Sequence, residues 1–137
     1  MIKALIDTNV VLDALASREP FREDAEKIFL LAAEEKFHGF VTANSITDIY
    51  YLVRNNLSEA AAREAIRHLL QLFAVVDING EDCESALDSP IGDYEDALVA
   101  ACAEKIGATH IITRDEKFLQ ASGAVSVVGT KTFLEDF

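Results

Sequence analysis

Short apolar runs alternate with helical segments along the whole chain, and this alternation constrains the fold more than any other feature of the sequence. The apolar runs predict five strands, at residues 2–6, 39–42, 74–78, 110–113 and 126–129. Strands that are separated by helices pair in parallel through right-handed crossovers. The sequence therefore predicts an α/β protein with a parallel sheet that is covered by helices on both faces.

Hydrophobic spacing and capping residues predict the helices between these strands. Pro20 is expected at a first helical position, and Ser58 is expected to cap a later helix. On that later helix Leu70 is expected on the buried face with its apolar neighbours. The predicted helices cover residues 9–16, 20–38, 46–53, 58–73, 81–88, 93–106 and 131–137.

Length and composition predict one compact domain over residues 1–137. A chain of this length can bury about two-thirds of its unfolded surface in a single core. Half of its residues are hydrophobic and 26% are charged, which is typical of a globular protein rather than a disordered one. We therefore expect a single folded unit.

Several sequence features favour a cytoplasmic protein without a membrane segment. The longest apolar runs are far shorter than the roughly 20 residues that span a bilayer. The first residues lack the charged region, apolar stretch and cleavage site of a signal peptide. Cys83 and Cys102 stand alone, so we expect reduced thiols rather than a disulfide or a zinc site.

The net charge of −12 argues at first sight against nucleic acid as a partner. Lys and Arg side chains that neutralise phosphates supply most non-specific affinity for nucleic acid. Carboxylates that hold divalent cations, however, count fully in the formal charge while the bound cation neutralises them locally. The acidity is thus compatible with a metal centre, and it also suits a basic protein partner.

Four acidic islands contain the candidate site residues. Asp7 follows the first predicted strand and Asp115 follows the fourth, so a parallel sheet would bring both to one edge. Asp48 lies off the apolar stripe of its helix, with Ser45 on a similar side. Asp96 lies in the first turn of a helix where small and apolar residues follow it. We expect these distant acids to share one pocket.

Three of these four acidic islands also have a simpler structural interpretation. Asp7, Asp93 and Asp115 all stand where a helix cap is expected, and acids in a first helical turn gain from the helix dipole. Thr8 and Asn9 could orient the Asp7 carboxylate, but either could also cap the helix. The joint placement of the acids is the stronger argument for a functional site.

Grouped carboxylates require protons or cations. Two carboxylates about 4 Å apart repel by about 4 kcal/mol at an effective dielectric constant of 20. Hard oxygen ligands favour Mg²⁺ or Mn²⁺ over zinc, which usually recruits His or Cys. Such ions lower the pKa of bound water and orient a phosphodiester. The common nucleotide-binding and serine-hydrolase motifs do not occur in the sequence.

With these residues assembled, the chain resembles PIN-domain proteins, and more narrowly the VapC-type endoribonuclease toxins of toxin–antitoxin pairs. The resemblance implies a three-layer α/β/α sandwich with a central parallel five-stranded sheet, usually assembled as a homodimer. It also implies a neighbouring antitoxin that blocks the active site. Four ordered segments carry the likeness: Ile6-Asp-Thr-Asn-Val-Val-Leu-Asp, Ser45-Ile-Thr-Asp-Ile-Tyr-Tyr-Leu, Asp93-Tyr-Glu-Asp-Ala-Leu-Val-Ala-Ala-Cys-Ala and Ile111-Ile-Thr-Arg-Asp.

The resemblance also implies roles for individual residues. Asp7, Asp96 and Asp115 match the metal-binding positions, and Asp48 stands where Glu is frequent, so its shorter side chain can act through water. The implied activity is hydrolysis of RNA by a Mg²⁺- or Mn²⁺-dependent ribonuclease that leaves a 5′-phosphate and a 3′-hydroxyl. The expected supporting residues are Thr8, Asn9, Ser45, Asp93 and Thr113. The expected phosphate contacts are Arg54, Arg63, Arg67 and Arg114, all of which could instead be solvated surface arginines.

Two other functions remain open at the level of sequence. A non-catalytic PIN-fold module would bind RNA or protein without cleaving it. A phosphoacceptor signalling domain is also acidic, α/β and magnesium-binding, with Asp7 as its nucleophile. The second is disfavoured because a second acidic pair near the first strand and a suitably placed lysine are not evident in the sequence.

Overall fold

The computed structural model describes residues 1–121 and 123–137. These residues contain one five-stranded sheet. The strands are β1 (Lys3–Ile6), β2 (His38–Thr42), β3 (Ala74–Val76), β4 (His110–Ile112) and β5 (Ser126–Val128). Their order is β3-β2-β1-β4-β5, and every neighbouring pair is parallel. This confirms the predicted α/β class and the parallel five-stranded sheet.

Eight helices occur in the described residues. They are α1 (Thr8–Leu15), α2 (Arg22–Ala33), α3 (Ala43–Asn56), α4 (Glu59–Leu72), α5 (Gly80–Leu87), α6 (Tyr94–Lys105), α7 (Glu116–Leu119) and α8 (Thr130–Leu134). The longest of them have 14 residues. In residues 1–121 and 123–137, no helix combines the length and the apolar character needed to cross a bilayer.

The alternation of side chains along β1 divides the core between the two faces of the sheet. Ala4 and Ile6 pack in one apolar cluster with residues of α1, α2, α3, α4 and α8. Leu5 points to the opposite face and packs in a second cluster with residues of α6 and α7. Helices therefore cover both faces, which confirms the three-layer α/β/α sandwich.

Two local predictions are wrong. Pro20 lies before α2 rather than at its first helical position, because the helix begins at Arg22, where acidic residues in the first turn favour its start. Leu70 is 53% exposed, although it was expected on the buried face of α4. It lies one residue, or about 100°, beyond the fully buried Leu69, and this rotation turns it toward solvent.

The topology places one edge of the sheet in position to carry a site. Because β1 lies at the centre of five parallel strands, the chain leaves β2, β1 and β4 at neighbouring points of the same edge. The segments that follow these strands then start α3, α1 and α7. Open α/β sheets bind their ligands at this carboxyl edge.

Candidate active site

Asp7 lies at the centre of the carboxyl edge, directly after β1. Its backbone N–H donates to the carbonyl of Ile112 at 2.9 Å, which continues the β1–β4 pairing by one residue. Its carboxylate also caps α1, since Oδ1 accepts from the backbone N–H of Thr8 at 2.9 Å. The predicted cap and the predicted site position are therefore the same residue.

The second carboxylate oxygen of Asp7 is held by two predicted supporting residues. The hydroxyl of Thr113, which is fully buried, donates to Asp7 Oδ2 at 2.8 Å. The side-chain amide of Asn9 lies 3.4 Å from the same oxygen and 3.4 Å from the Thr113 hydroxyl. Thr113 also accepts from the backbone N–H of Asp115 at 3.1 Å, so one hydroxyl links Asp7 to Asp115.

Thr8 and Ser45 connect α1 to α3. Their hydroxyl groups form a hydrogen bond with each other, and Thr42 caps α3 by accepting from the backbone N–H of Ser45 at 3.1 Å. Asp48 is half-buried and lies three residues, slightly less than one helical turn, beyond Ser45 on α3. The hydroxyl contact therefore positions the helix that carries Asp48, while the side chain of Thr8 does not bond to Asp7.

The start of α6 supplies two further carboxylates with different local roles. Asp93 caps the helix by accepting from the backbone N–H of Asp96 at 2.9 Å. Asp96 is only 9% exposed, and no donor among the described residues hydrogen-bonds to its carboxylate. Asp115 resembles Asp93, because it caps α7 by accepting from the backbone N–H of Lys117 at 3.0 Å.

The pKa values of two of these acids are affected by the charges of the others. Burial, followed by the charges of Asp93, Asp7 and Asp115, raises the pKa of Asp96 to about 7. Burial also raises the pKa of Asp7, and the charges of Asp115 and Asp93 act in the same direction, against the hydrogen bonds from Thr113 and Thr8. These acids come from three separate parts of the chain, and the fold groups them into one electrostatic unit.

Glu95 belongs to the same unit, although it was not among the predicted site residues. Burial and the charges of Asp48, Asp7 and Asp93 raise its pKa. Asp48, on α3, is therefore among the charges that act on Glu95. The presence of Glu95 in the first turn of α6 was a visible signal, but the sequence favoured Asp96 because the residues after Asp96 predict a buried face.

The acidic group (Asp7, Asp48, Asp93, Glu95, Asp96 and Asp115) has no cationic partner in the part of the chain that the structure describes. None of its six carboxylates forms an ion pair with Lys, Arg or His there. Hard carboxylate oxygens without a counter-charge fit a divalent cation such as Mg²⁺ or Mn²⁺ in their chemistry. In residues 1–121 and 123–137, however, no three acidic, imidazole or thiol groups already converge to hold a metal ion. A cation would have to draw the carboxylates inward.

An open cleft of about 580 Å³ adjoins the acidic group. Asp93 and Asp96 form part of its wall, and Lys117 of α7 and Gln120, which follows α7, also line it. The cleft gives an extended ligand access to Asp96. Lys117, in the same lining, is exposed.

Three of the four arginines that were predicted to contact phosphate lie together on α3 and α4. Arg63 and Arg67 are exposed and pair with glutamates one turn earlier on α4, at 3.1 and 3.4 Å. The guanidinium of Arg54 lies 4.9 Å from the centroid of the Tyr51 ring, which is 48% exposed. These three arginines are exposed to solvent. Their exposure is compatible both with contact to phosphate and with a role as ordinary surface arginines.

Arg114 lies in a different environment from the other three arginines. It donates through Nε and Nη2 to the buried carboxylate of Asp13, at 2.6 and 3.0 Å. Its guanidinium also lies 4.0 Å from the centroid of the Phe21 ring. These contacts occupy one edge and one face of the guanidinium, and they favour a structural role over the predicted contact with phosphate.

Comparisons with known proteins agree with this architecture. A PIN-domain family model matches residues 3–117. Similar solved structures include VapBC2 from Rickettsia felis bound to a promoter DNA fragment, at 14% identity and a TM-score of 0.67 over 93% of this chain and 98% of that chain. VapC20 from Mycobacterium tuberculosis, described as a sarcin–ricin loop cleaving toxin, matches at 16% identity and a TM-score of 0.67 over 84% and 92%.

A toxin–antitoxin complex from Klebsiella pneumoniae matches at 20% identity and a TM-score of 0.68, over 93% of this chain and 97% of that chain. A comparison with curated proteins finds no match. At these identities the structural likeness shows a common fold, and the family model matches most of the sequence. The chain belongs to the PIN-domain family.

Proposed function

We propose that this protein is a Mg²⁺- or Mn²⁺-dependent endoribonuclease that hydrolyses RNA phosphodiester bonds. We further propose that it is the toxin of a type II toxin–antitoxin pair. Membership of the PIN-domain family and the likeness to VapC and VapBC structures support this assignment. The acidic group at the carboxyl edge supports it independently of those relatives.

The observation that carries the proposal is the environment of Asp96. This carboxylate is buried, and burial together with the charges of Asp93, Asp7 and Asp115 raises its pKa to about 7. A purely structural carboxylate at such a position is expected to have a cationic or hydrogen-bonding partner. Neither occurs for Asp96 among the described residues, so the charge is suited to a ligand that the protein binds.

Each acidic residue then has a role in hydrolysis. Asp7, Asp96 and Asp115 would hold the cation, and Asp48 would align the attacking water. Asp93 and Glu95 add negative charge at the rim. When bound, a divalent cation lowers the pKa of water and stabilises charge on phosphodiester oxygens. Attack of water on phosphorus breaks the bond to the 3′ oxygen, which takes up a proton, and this leaves a 5′-phosphate and a 3′-hydroxyl.

The remaining residues support this arrangement. Thr113 and Asn9 orient the Asp7 carboxylate, and the contact between Thr8 and Ser45 positions α3. Exposed arginines at positions 54, 63 and 67 are available for RNA phosphates. As for biological context, we propose a single domain over residues 1–137, a cytoplasmic location, a homodimer, and an antitoxin partner.

Incubation of the purified protein with transfer and ribosomal RNA in Mn²⁺ or Mg²⁺ tests the proposal. Asp7→Asn and Asp96→Asn keep the shape of each side chain but remove its charge. We expect each variant to lower cleavage by about 100-fold or more, because the cation loses an anionic ligand. End analysis of the wild-type products should find 5′-phosphates and 3′-hydroxyls.

Asp136→Asn is the matched control, since Asp136 is exposed and lies outside the acidic group. This variant should cleave like the wild type. Full cleavage by both Asp7→Asn and Asp96→Asn would reject the assignment. RNA binding without cleavage by the wild type under any divalent cation would favour a non-catalytic RNA-binding module.

A further inference from the structure

Asp13 on α1 is a fully buried carboxylate that takes part in none of the roles described above. Two arginines from different parts of the chain surround it. Arg114 donates to both of its oxygens, at 2.6 and 3.0 Å, and Arg18 Nε lies 3.0 Å from Oδ1 without the alignment of a hydrogen bond. Burial of a charge is costly unless it is paired in this way.

The Asp13 cluster (Asp13, Arg18 and Arg114) is joined to the acidic group through Asn9. Arg18 donates to the backbone carbonyl of Asn9 at 3.1 Å, and the backbone N–H of Arg114 lies 3.4 Å from Asn9 Oδ1. The side-chain amide of Asn9 reaches Asp7 in turn. A continuous set of contacts therefore runs from Asp13 to Asp7.

Arg114 is also the residue directly before Asp115. Its guanidinium is held between the Asp13 carboxylate and the ring of Phe21. A bidentate ion pair with a buried carboxylate restricts both the position and the orientation of the guanidinium. The backbone of the turn between β4 and α7 is thus anchored one residue before Asp115.

From these contacts we infer that Asp13 is a positioning residue: through Arg114 and Asn9 it sets the place of Asp115 and Asp7 at the carboxyl edge. The part of this inference that concerns metal binding rests on the proposed function. The part that concerns the order of the turn does not. Asp13 itself touches neither the cleft nor the expected ligand.

Two alternative roles for the Asp13 cluster would give different results on substitution. If the cluster only stabilises the fold, its loss lowers stability but leaves the cation affinity of the folded protein unchanged. If it acts only through charge, Asp13→Asn weakens cation binding and Arg114→Met strengthens it, because the two substitutions remove opposite charges. Positioning predicts weaker binding for both.

The first experiment measures Mn²⁺ affinity by calorimetry on protein shown by circular dichroism to be folded. We expect Asp13→Asn and Arg114→Met each to weaken binding by about tenfold, the effect expected for a group that orients metal ligands. Arg114→Lys keeps the charge but loses the two-point contact, so it should also weaken binding. The double variant Asp13→Asn/Arg114→Met should be no worse than Arg114→Met alone.

Lys105→Met is the control. It breaks another ion pair to a buried carboxylate, with Asp82 at 2.6 Å, at the far end of α6 from Asp96. This variant should lose stability and keep the wild-type affinity for Mn²⁺. Wild-type affinity in Asp13→Asn, or tighter binding in Arg114→Met, would overturn the inference.

The second experiment uses hydrogen exchange of the metal-free protein and does not depend on any cation. Amides of residues 113–117 should exchange faster in Asp13→Asn and Arg114→Lys than in Lys105→Met at matched global stability. Unchanged exchange in that turn would also overturn the inference. If the wild type failed to bind Mn²⁺, the proposed function would lose its metal centre, whereas this second readout would still decide the role of Asp13.

Discussion

Asp96 shows how burial and like charge act together on one side chain. Its position in the first turn of α6 would by itself favour the ionised form, because negative charge gains from the helix dipole there. Burial and the neighbouring acids outweigh that gain, and the pKa rises to about 7. At neutral pH the metal-free carboxylate is therefore divided between its protonated and ionised forms.

The metal-free protein should become less stable as pH rises, because the pKa of Asp96 is raised in the folded state. The pKa of Asp96 is about 7 in the folded protein against 3.8 for an unperturbed carboxyl, so the folded state binds more protons between these values. The free energy of unfolding should fall as pH rises, by about 1–3 kcal/mol between pH 5 and pH 8. Urea denaturation in the presence of EDTA measures this change.

The raised pKa values of Asp7 and Glu95 act in the same direction. Asp96→Asn should be more stable than the wild type at pH 8 and should lose most of the pH dependence. The exposed-site variant Asp136→Asn should follow the wild type. A wild-type protein that became more stable from pH 5 to pH 8 would contradict the prediction.

At the scale of elements, the packing of β2 against the end of α4 depends on a residue without a side chain. A Cβ at Gly39 would lie 2.5 and 2.8 Å from ring atoms of Phe73. Phe73 is itself buried and packs edge-on against Phe29, with ring centroids 5.2 Å apart. The ring therefore has little room to move, and β2 requires glycine at position 39.

Gly39→Ala should lower the free energy of unfolding by about 1–3 kcal/mol, because an added methyl group overpacks the core at Phe73. Gly80→Ala is the matched control, since nothing lies within 4 Å of a Cβ at that position in α5. It should be neutral or slightly stabilising. Equal stability of the two variants in urea denaturation would contradict the proposed overpacking between β2 and α4.

At the scale of the whole molecule, the basic side chains are distributed unevenly among the acids. Most lysines and arginines pair with carboxylates elsewhere, at Asp13, at Asp82 and along α2 and α4. The acidic group at the carboxyl edge receives none of these partners in the described part of the chain. The net charge of −12 therefore includes a local repulsion that a bound cation would relieve.

Binding of Mn²⁺ should accordingly stabilise the wild type. A cation present at 100 times its dissociation constant adds about 2.7 kcal/mol when it binds only the folded state, which corresponds to a Tm increase of several degrees. Differential scanning fluorimetry with Mn²⁺, and with Ca²⁺ at equal ionic strength, measures the effect. Asp7→Asn and Asp96→Asn should show a much smaller increase. An increase of equal size in all three proteins would indicate non-specific binding.

The sequence by itself determined most elements of the fold and the edge of the sheet at which Asp7 and Asp115 lie. Hydrophobic period and capping chemistry are local, so they predicted five strands, the helices between them, and caps at Asp7, Asp93 and Asp115. The position at which a strand ends can also be read from the local sequence, because the apolar run stops there. The placement of Asp7 and Asp115 at one edge of the sheet could therefore be predicted without coordinates.

Only the tertiary structure decided what each charge contacts. The ion pair between Asp13 and Arg114 joins residues 101 positions apart, and no pattern along the chain distinguishes it from a surface arginine and a helical acid. The raised pKa of Asp96 depends on burial and on the distances to carboxylates from other elements. Such quantities are set by packing in three dimensions, because electrostatic energy depends on separation and solvent exposure rather than on position in the sequence.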